Sequence, residues 1–223
     1  MLIQLAAVAA AAIVLGAFTL ACIISEFWRG MKVRHQLGGV SWPGALGQLF
    51  TRNRRRYGGY IVHVGVVSII VAIACQGAFS SQGDLALRTG QSGEVSGYRF
   101  TNEGGTRAKD DHKMSVGVAL AVSEGGNRFA TLEPGVDVFL AQQQRSSEVA
   151  VDSSPFRDVY VVLVGLTPDG LARISVFINP MMMWIWIGGL IMVLGSVVAV
   201  WPSRRPREAV VPAPAGADGR VRE

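Results

Sequence analysis

Three long apolar segments constrain this chain more than any other feature of its sequence. They lie at residues 1–27, 58–79 and 181–201 and are almost free of charged side chains. Each contains about 20 residues or more, which is enough for a helix to cross a hydrocarbon core of about 30 Å. Half of the 223 residues are hydrophobic and the mean hydropathy is positive, too apolar an average for an ordinary soluble domain. The sequence therefore predicts a protein with three transmembrane helices.

The first segment could instead be a cleaved signal peptide. Such a peptide begins with basic residues and has an apolar core of about 7 to 15 residues. Here no charged side chain precedes Glu26, and the apolar run is much longer. We therefore expect the first segment to remain in the protein as a transmembrane helix.

Basic residues indicate the orientation of the chain. Residues 29–57 contain seven basic side chains and no acid, and the tail is also rich in arginine. Short basic loops stay in the cytoplasm. The predicted order is helix 1 at residues 1–28, a basic cytoplasmic loop at 29–57, helix 2 at 58–79, an extracytoplasmic domain at 80–180, helix 3 at 181–201 and a disordered cytoplasmic tail at 202–223.

The basic residues that raise the pI of the chain to about 9.7 are concentrated in the segments beside the membrane. Residues 80–180 hold nine basic and twelve acidic side chains, a net charge of −3. The arginine run Arg52–Arg56 abuts a predicted helix, where it is more typical of anchoring to anionic lipid headgroups than of nucleic-acid binding. Both cysteines, Cys22 and Cys75, lie in apolar segments without a CxxC motif, which argues against thiol redox chemistry and against a c-type haem attached to this chain.

The extracytoplasmic segment has the pattern of a small antiparallel β domain. Residues 115–122 and 128–132 flank the turn sequence EGGN and predict a hairpin. A third short strand is predicted at 136–141, a dense β-branched strand at 158–165 and an alternating strand at 172–178. Residues 102–111 are polar and are predicted to form a loop. The predicted fold class is therefore α+β: three transmembrane helices with a β domain between the second and the third.

His63 is the one histidine inside a predicted membrane span. It lies about 7 to 8 Å from the basic end of its helix. A polar ring at this depth normally faces a partner, a cavity or a cofactor. Gly59 leaves room one turn before the imidazole, and Val66 and Val67 supply apolar surface one turn after it. The residues alone leave three roles open: haem ligation, a hydrogen bond between helices, or proton handling.

Five stretches of the chain resemble the C-terminal part of CcmF, a family of bacterial cytochrome c biogenesis proteins. They occur in the family's order and spacing between about residues 28 and 201. They are RNRRRYGGYIVHVG at 52–65, GYRF at 97–100, LEPGVDVF at 132–139, DVYVVLVG at 158–165 and INPMMMWIWIGGLIMVLG at 178–195.

The resemblance implies a haem-binding role for His63. In this family the matching histidine is one of two axial ligands of a transmembrane b haem, so His63 is expected to bind the haem iron and Gly59 to make room for the macrocycle. It further implies a haem lyase complex in the bacterial inner membrane, with its main soluble domain in the periplasm. Such a complex receives haem from a carrier protein and attaches it to the CxxCH motif of apocytochrome c.

This chain lacks the tryptophan-rich segment and the additional ligand histidines of the family. Its five tryptophans are scattered in positions typical of membrane-interface residues. We therefore expect the chain to be a fragment or a split-gene product that is not active alone. The expected partners are an N-terminal CcmF-like chain or segment with a Trp-rich motif and other haem lyase subunits, and the second axial histidine is expected to come from outside this chain.

Few other residues are candidates for chemistry. His35 is interpreted as a solvated loop residue, and His112, after two aspartates, lacks a second ligand cluster. Met181 to Met183 splay around a helix and are expected to pack rather than bind a metal. No catalytic side chain is predicted. The alternative function is a non-catalytic, membrane-anchored β module that scaffolds an envelope complex.

Overall fold

The structure is a computed structural model that describes residues 2–110, 113–139 and 144–202. The described chain forms four helices and ten strands, with all strands between the third and fourth helices. The helices are α1 Leu2–Gly38, α2 Trp42–Arg52, α3 Arg54–Phe79 and α4 Met182–Val200. The strands are β1 Ser81–Leu87, β2 Ser92–Val95, β3 Tyr98–Lys109, β4 Lys113–Glu124, β5 Asn127–Leu132, β6 Gly135–Phe139, β7 Gln144–Glu148, β8 Ala150–Ser153, β9 Arg157–Leu166 and β10 Ala172–Pro180.

Three of the helices are long and apolar enough to cross a membrane. They span Ile3–Gly38, Arg54–Phe79 and Met182–Val200. Their outward side chains include many large apolar residues, such as Phe18 on α1 and Leu190 on α4, which are more than half exposed. Contact of such apolar surfaces with lipid is favourable, whereas their exposure to water costs free energy. The predicted fold class, three apolar helices with an antiparallel β domain, is confirmed.

The basic segment between the first two spans is mostly helical. α1 continues to Gly38, and α2 begins after Ser41, whose Oγ accepts a hydrogen bond of 3.4 Å from the Gly44 amide. A serine cap followed by proline in the first turn is a common start for a helix. α2 buries Ala45 and Leu49. The segment therefore folds back on α1 before the chain enters the second span.

α3 and α4 pack through glycine. A Cβ on Gly65 would lie 2.5 Å from the carbonyl oxygen of Gly188, and one on Gly58 would lie 2.6 Å from the amide nitrogen of Ala199. On α4, a Cβ on Gly195 would lie 2.7 Å from the amide nitrogen of Val62. Such close backbone approach is typical of helix pairs in membranes. It leaves little freedom to rotate α3 about its axis.

The strands form a β-sandwich. One sheet has the order β1-β10-β9-β8, and the other has the order β2-β3-β4-β6-β7 with β5 paired to β4; all pairs are antiparallel. Phe100, Leu120 and Val122 on the second sheet belong to the same buried cluster as Val161 and Ile174 on the first. Burial of these apolar side chains between the sheets stabilises the domain.

Several predicted strands are present. The EGGN turn joins β4 to β5, with positive φ at Gly125 and Gly126, and β9 and β10 pair as the dense and alternating strands. Along β10, Ala172, Ile174 and Val176 are buried while the residues between them are exposed or half-buried. The alternation of apolar and polar residues in this part of the sequence therefore correctly predicts which side chains of β10 face the sandwich core.

The predicted polar loop at residues 102–111 is wrong over most of its length. Residues 98–109 form β3, which pairs with β4 through a register shift after Asn102. Asn102 is only 1% exposed; its side-chain amide donates to the Leu87 carbonyl oxygen at 3.0 Å and its Oδ1 accepts from the Gly104 amide at 2.9 Å. These bonds satisfy the buried polar group at the bulge, so a polar sequence continues the strand.

Candidate functional site

His63 lies on a face of α3 that no described element covers. Gly58, Gly65 and Ala72 are buried, Gly58 and Gly65 against α4, and Val67 and Val71 face α1 beside Gly16. A third set of side chains, spaced by three, four or seven residues, shares the remaining side of the helix. We call this set the open face of α3; it consists of Gly59, His63, Ile70 and Ile73. His63 is exposed, and the two isoleucines are 52% and 55% exposed.

A hydrogen bond orients the His63 ring. Its Nδ1 lies 2.7 Å from the carbonyl oxygen of Gly59, one turn earlier on α3. A carbonyl only accepts hydrogen bonds, so Nδ1 is the donor, and in the neutral ring the lone pair is then on Nε2. Nε2 has no partner among the described residues. This is the arrangement by which proteins orient a histidine toward a metal.

Gly59 leaves free space beside this ring. Apart from its chain neighbours and the adjacent backbone of α3, no described atom lies within 4 Å of the position that a Cβ on Gly59 would take, in contrast to the crowded Gly58. Of the two valines expected near the imidazole, Val67 packs toward α1, so only Val66 remains on the His63 side. One oriented nitrogen donor, open space and an apolar surround fit one axial position of a flat iron macrocycle.

An aromatic cluster anchors α3 to α1 and α2 at its basic end. Phe27 lies between Phe50 and Tyr57, with ring centroids 6.0 and 5.0 Å away, and Tyr60 lies 5.8 Å from Tyr57. Next to it Arg56 forms an ion pair with Glu26 and donates a hydrogen bond of 3.0 Å to the Tyr60 hydroxyl. These contacts fix the first turns of α3 and, through them, the position of His63.

His35 lies at the end of α1 and is not a solvated loop residue. Its ring stacks on Trp42 at 4.5 Å, and Trp42 also stacks on Trp28 at 5.3 Å. Its Nδ1 donates a hydrogen bond of 2.7 Å to the Val40 carbonyl oxygen. These contacts close the turn between α1 and α2. They keep His35 within that turn and do not bring it to the open face of α3.

The other singled-out residues do not assemble into a site in the described part of the chain. His112 lies outside the described residues. Met181 has a left-handed backbone before α4, and Met182 and Met183 begin that helix. Within the described ranges, no group of three or more His, Cys, Asp or Glu side chains could hold a metal ion.

Glycines that set the orientation of His63 are the feature that the sequence analysis missed. Gly58 and Gly65 are seven residues apart, as are Gly188 and Gly195 on the partner helix. This spacing places each pair on one helix face, a recognisable sign of close packing in membranes. It could have predicted that α3 turns its glycine face to α4 and leaves His63 elsewhere.

Comparison with known proteins shows which families have a similar sequence and architecture. Residues 78–180 match the family model described as the CcmF C-terminal beta-sandwich. The chain also resembles a solved structure named cytochrome c heme lyase CcmF, with a TM-score of 0.59 and 19% sequence identity over 82% of this chain and 34% of that one. At this identity the structural match shows the fold.

Curated relatives extend the similarity beyond the sandwich. The cytochrome c-type biogenesis protein CcmF of Pseudomonas aeruginosa is 30% identical over 173 residues, which cover 78% of this chain and 25% of that protein. CcmF of Pseudomonas fluorescens is 29% identical over the same lengths. The chain thus spans about a quarter of the length of these relatives. The comparisons confirm that it resembles the C-terminal part of CcmF, a cytochrome c-type biogenesis protein.

Proposed function

We propose that this chain is the C-terminal portion of a cytochrome c haem lyase complex of the bacterial inner membrane, and that His63 is an axial ligand of a transmembrane b haem. The observation that carries the proposal is the His63 ring itself. Its Nδ1 is engaged by the Gly59 carbonyl, and its Nε2 has no partner among the described residues on the exposed face of a helix that is apolar enough to span a membrane. Such a group requires a partner in lipid.

Each residue near His63 has a defined part in this proposal. The Gly59 carbonyl holds the ring in the tautomer that presents Nε2, and the missing side chain of Gly59 admits a macrocycle. Ile70 and Ile73 form the apolar wall that excludes water from the same face. A bound haem supplies one-electron chemistry, which a haem lyase needs because thioether formation requires ferrous iron.

The second axial ligand comes from outside the described part of this chain. His35 is held in the turn between α1 and α2 by Trp42 and by the Val40 carbonyl. The partner is a membrane segment that lies on the open face of α3 and contributes its own histidine. We assign this role to an N-terminal CcmF-like chain or segment with a Trp-rich motif. The other expected partners are a haem carrier protein, further lyase subunits and apocytochrome c.

Absorption spectroscopy of the complex tests the ligand. With the N-terminal partner coexpressed, His63→Ala should leave the protein inserted in the membrane, because alanine is well tolerated in helices, and should abolish the α-band of the b haem. His63→Gly with added imidazole should restore part of the band, since free imidazole can fill the vacated space.

His35→Ala is the matched control and should leave the spectrum unchanged. If His63→Ala retains both the normal band and normal cytochrome c maturation, His63 is not the ligand. In that case the chain is better described as a non-catalytic membrane-anchored module.

A further inference from the structure

A basic cleft opens at the end of the helices opposite the β-sandwich. It has a volume of about 510 Å³ and lies between the junction of α2 with α3 and the last turn of α4. Its lining residues include four arginines and no acid, all within the described part of the chain. They are Thr51, Arg52, Asn53, Arg54, Arg55, Arg56, Ala199, Val200, Trp201 and Pro202.

Most of this positive charge is not neutralised by any residue in the described part of the chain. Arg56 is paired with Glu26, and Arg54 donates a hydrogen bond of 2.9 Å to the Pro202 carbonyl oxygen. Arg52 and Arg55 are exposed and have no hydrogen bond or ion pair with any described residue. α3 begins at Arg54, whereas α2 ends at Arg52 and α4 ends at Val200, so one positive and two negative helix ends meet here and the positive potential comes from the arginines. The chemistry of the cleft therefore favours an anion, and arginine pairs especially well with phosphate.

An apolar cleft adjoins the basic one. It has a volume of about 390 Å³ and shares Thr51, Arg54 and Trp201 with its neighbour. The rest of its lining is the apolar surface of Phe50, Val197 and Val198. A free phosphate or a nucleic acid would use only the basic cleft. A molecule that fills both must carry an anionic head and a hydrocarbon chain.

We propose that the two clefts together form a specific site for one anionic phospholipid of the phosphatidylglycerol type. The phosphate lies among Arg52, Arg54 and Arg55, and one acyl chain lies against Val197 and Trp201. The place is suitable, because α3 begins and α4 ends here, where a membrane-spanning pair meets the headgroup region. This site involves neither His63 nor the open face of α3, so it does not depend on the proposed haem role.

A specific site differs from diffuse attraction in its dependence on position. Diffuse attraction falls equally for any two arginines removed from this side of the membrane, whereas a site responds only to those in the cleft. Arg52→Gln with Arg55→Gln removes two cleft charges that have no partner among the described residues. Arg29→Gln with Arg34→Gln removes two charges on α1, outside both clefts.

The experiment is native mass spectrometry of the full chain in mixed micelles. The wild-type protein should retain one dioleoyl phosphatidylglycerol more tightly than dioleoyl phosphatidylcholine. The Arg52/Arg55 variant should lose at least tenfold in phosphatidylglycerol affinity, and the Arg29/Arg34 variant should lose less than twofold. Inorganic phosphate at millimolar concentration should not displace the lipid.

A second pair of variants tests the acyl-chain part of the site. Val197→Trp fills the apolar cleft and should weaken phosphatidylglycerol binding, whereas Ser196→Trp, at an exposed position of similar depth outside both clefts, should not. Circular dichroism confirms folding of each variant. Equal losses in the two arginine pairs, displacement by inorganic phosphate, or unchanged binding in Val197→Trp would each overturn the proposal.

Discussion

Two carboxylates of the β-sandwich lie in opposite electrostatic environments. Asp137 is 8% exposed, and its oxygens accept hydrogen bonds from Lys113 at 2.7 Å and Ser115 at 2.6 Å. These bonds, led by the one from Lys113, lower the pKa of Asp137. Asp158 has a buried Oδ1 without a hydrogen-bond partner among the described residues, and burial raises its pKa against the opposing effect of hydrogen bonds from Ser153 and the Ser154 backbone. Substitution by neutral asparagine should therefore change the stability of the fold in opposite directions at the two positions.

At neutral pH we expect Asp137→Asn to lower the melting temperature of the full chain in detergent. We expect Asp158→Asn to raise it by about 2–4 °C, the shift produced by about 1 kcal/mol in a chain of this size. Because the pKa of Asp137 is lower in the folded than in the unfolded state, its carboxylate stabilises the fold above the unfolded-state pKa of about 4. The destabilisation by Asp137→Asn should therefore disappear as the pH falls from this value through the folded-state pKa.

The raised pKa of Asp158 has the opposite linkage. The protonated carboxyl is favoured in the folded state, and the corresponding stability is lost as the pH rises through the folded-state pKa. The advantage of Asp158→Asn should therefore grow with pH from about 4 and reach its full value near neutrality. Scanning calorimetry between pH 3 and 8 measures both curves. Effects of the same sign at the two positions would contradict these assignments.

Residue-level chemistry at His63 was partly accessible from sequence. A histidine in an apolar run is visible at once, and the carbonyl of Gly59 follows from the helical spacing of four residues. Whether Nε2 faces another helix or open space depends on the rotation of α3. That rotation is set by Gly188 and Gly195 on α4, more than 100 residues away in the chain. The helix that carries His63 could therefore be predicted, but not the face on which it lies.

At the scale of elements, the contact between α3 and α4 determines what the helical part presents to its surroundings. Gly65→Ala would place a methyl group 2.5 Å from the Gly188 carbonyl oxygen, and backbone on both sides leaves little room to adjust. We expect a loss of about 1–3 kcal/mol in stability. The melting of the full chain in detergent, followed by circular dichroism at 222 nm, measures this loss.

Gly77→Ala is the matched control on the same helix. No described atom lies within 4 Å of the Cβ that it would add, so stability should stay unchanged or rise slightly, because alanine favours the helix. If Gly65→Ala is as stable as the control, the close helix contact is not the one that holds α3 and α4 together.

The strands differ in how well they can be predicted from their sequence. β10 alternates strictly because one side faces the core, and β9 is densely apolar, so both were predictable. β3 was missed because its second half is polar and contains two glycines, and its pairing with β4 is determined by tertiary contacts. Short strands such as β2 and β8 are stabilised by their neighbours in the sheet rather than by local preference.

At the scale of the whole molecule, α3 and α4 join two chemically different ends. The β-sandwich connects to α3 through β1 and to α4 through β10, and the basic cleft lies at the opposite ends of both helices. The charge asymmetry that predicts orientation is visible in the sequence. The meeting of Arg54 with Trp201 and Pro202 is not, since it requires antiparallel packing of two distant helices.

This asymmetry leads to a prediction about the placement of the chain in the membrane. Because arginines concentrate at the end opposite the β-sandwich, we expect that end in the cytoplasm and the sandwich in the periplasm. In a background with Cys22→Ala and Cys75→Ala, Asn127→Cys in the sandwich and Gln36→Cys near the end of α1 provide single exposed thiols. A membrane-impermeant maleimide should label Asn127→Cys in intact spheroplasts and Gln36→Cys only after lysis. The reverse pattern would invert the topology.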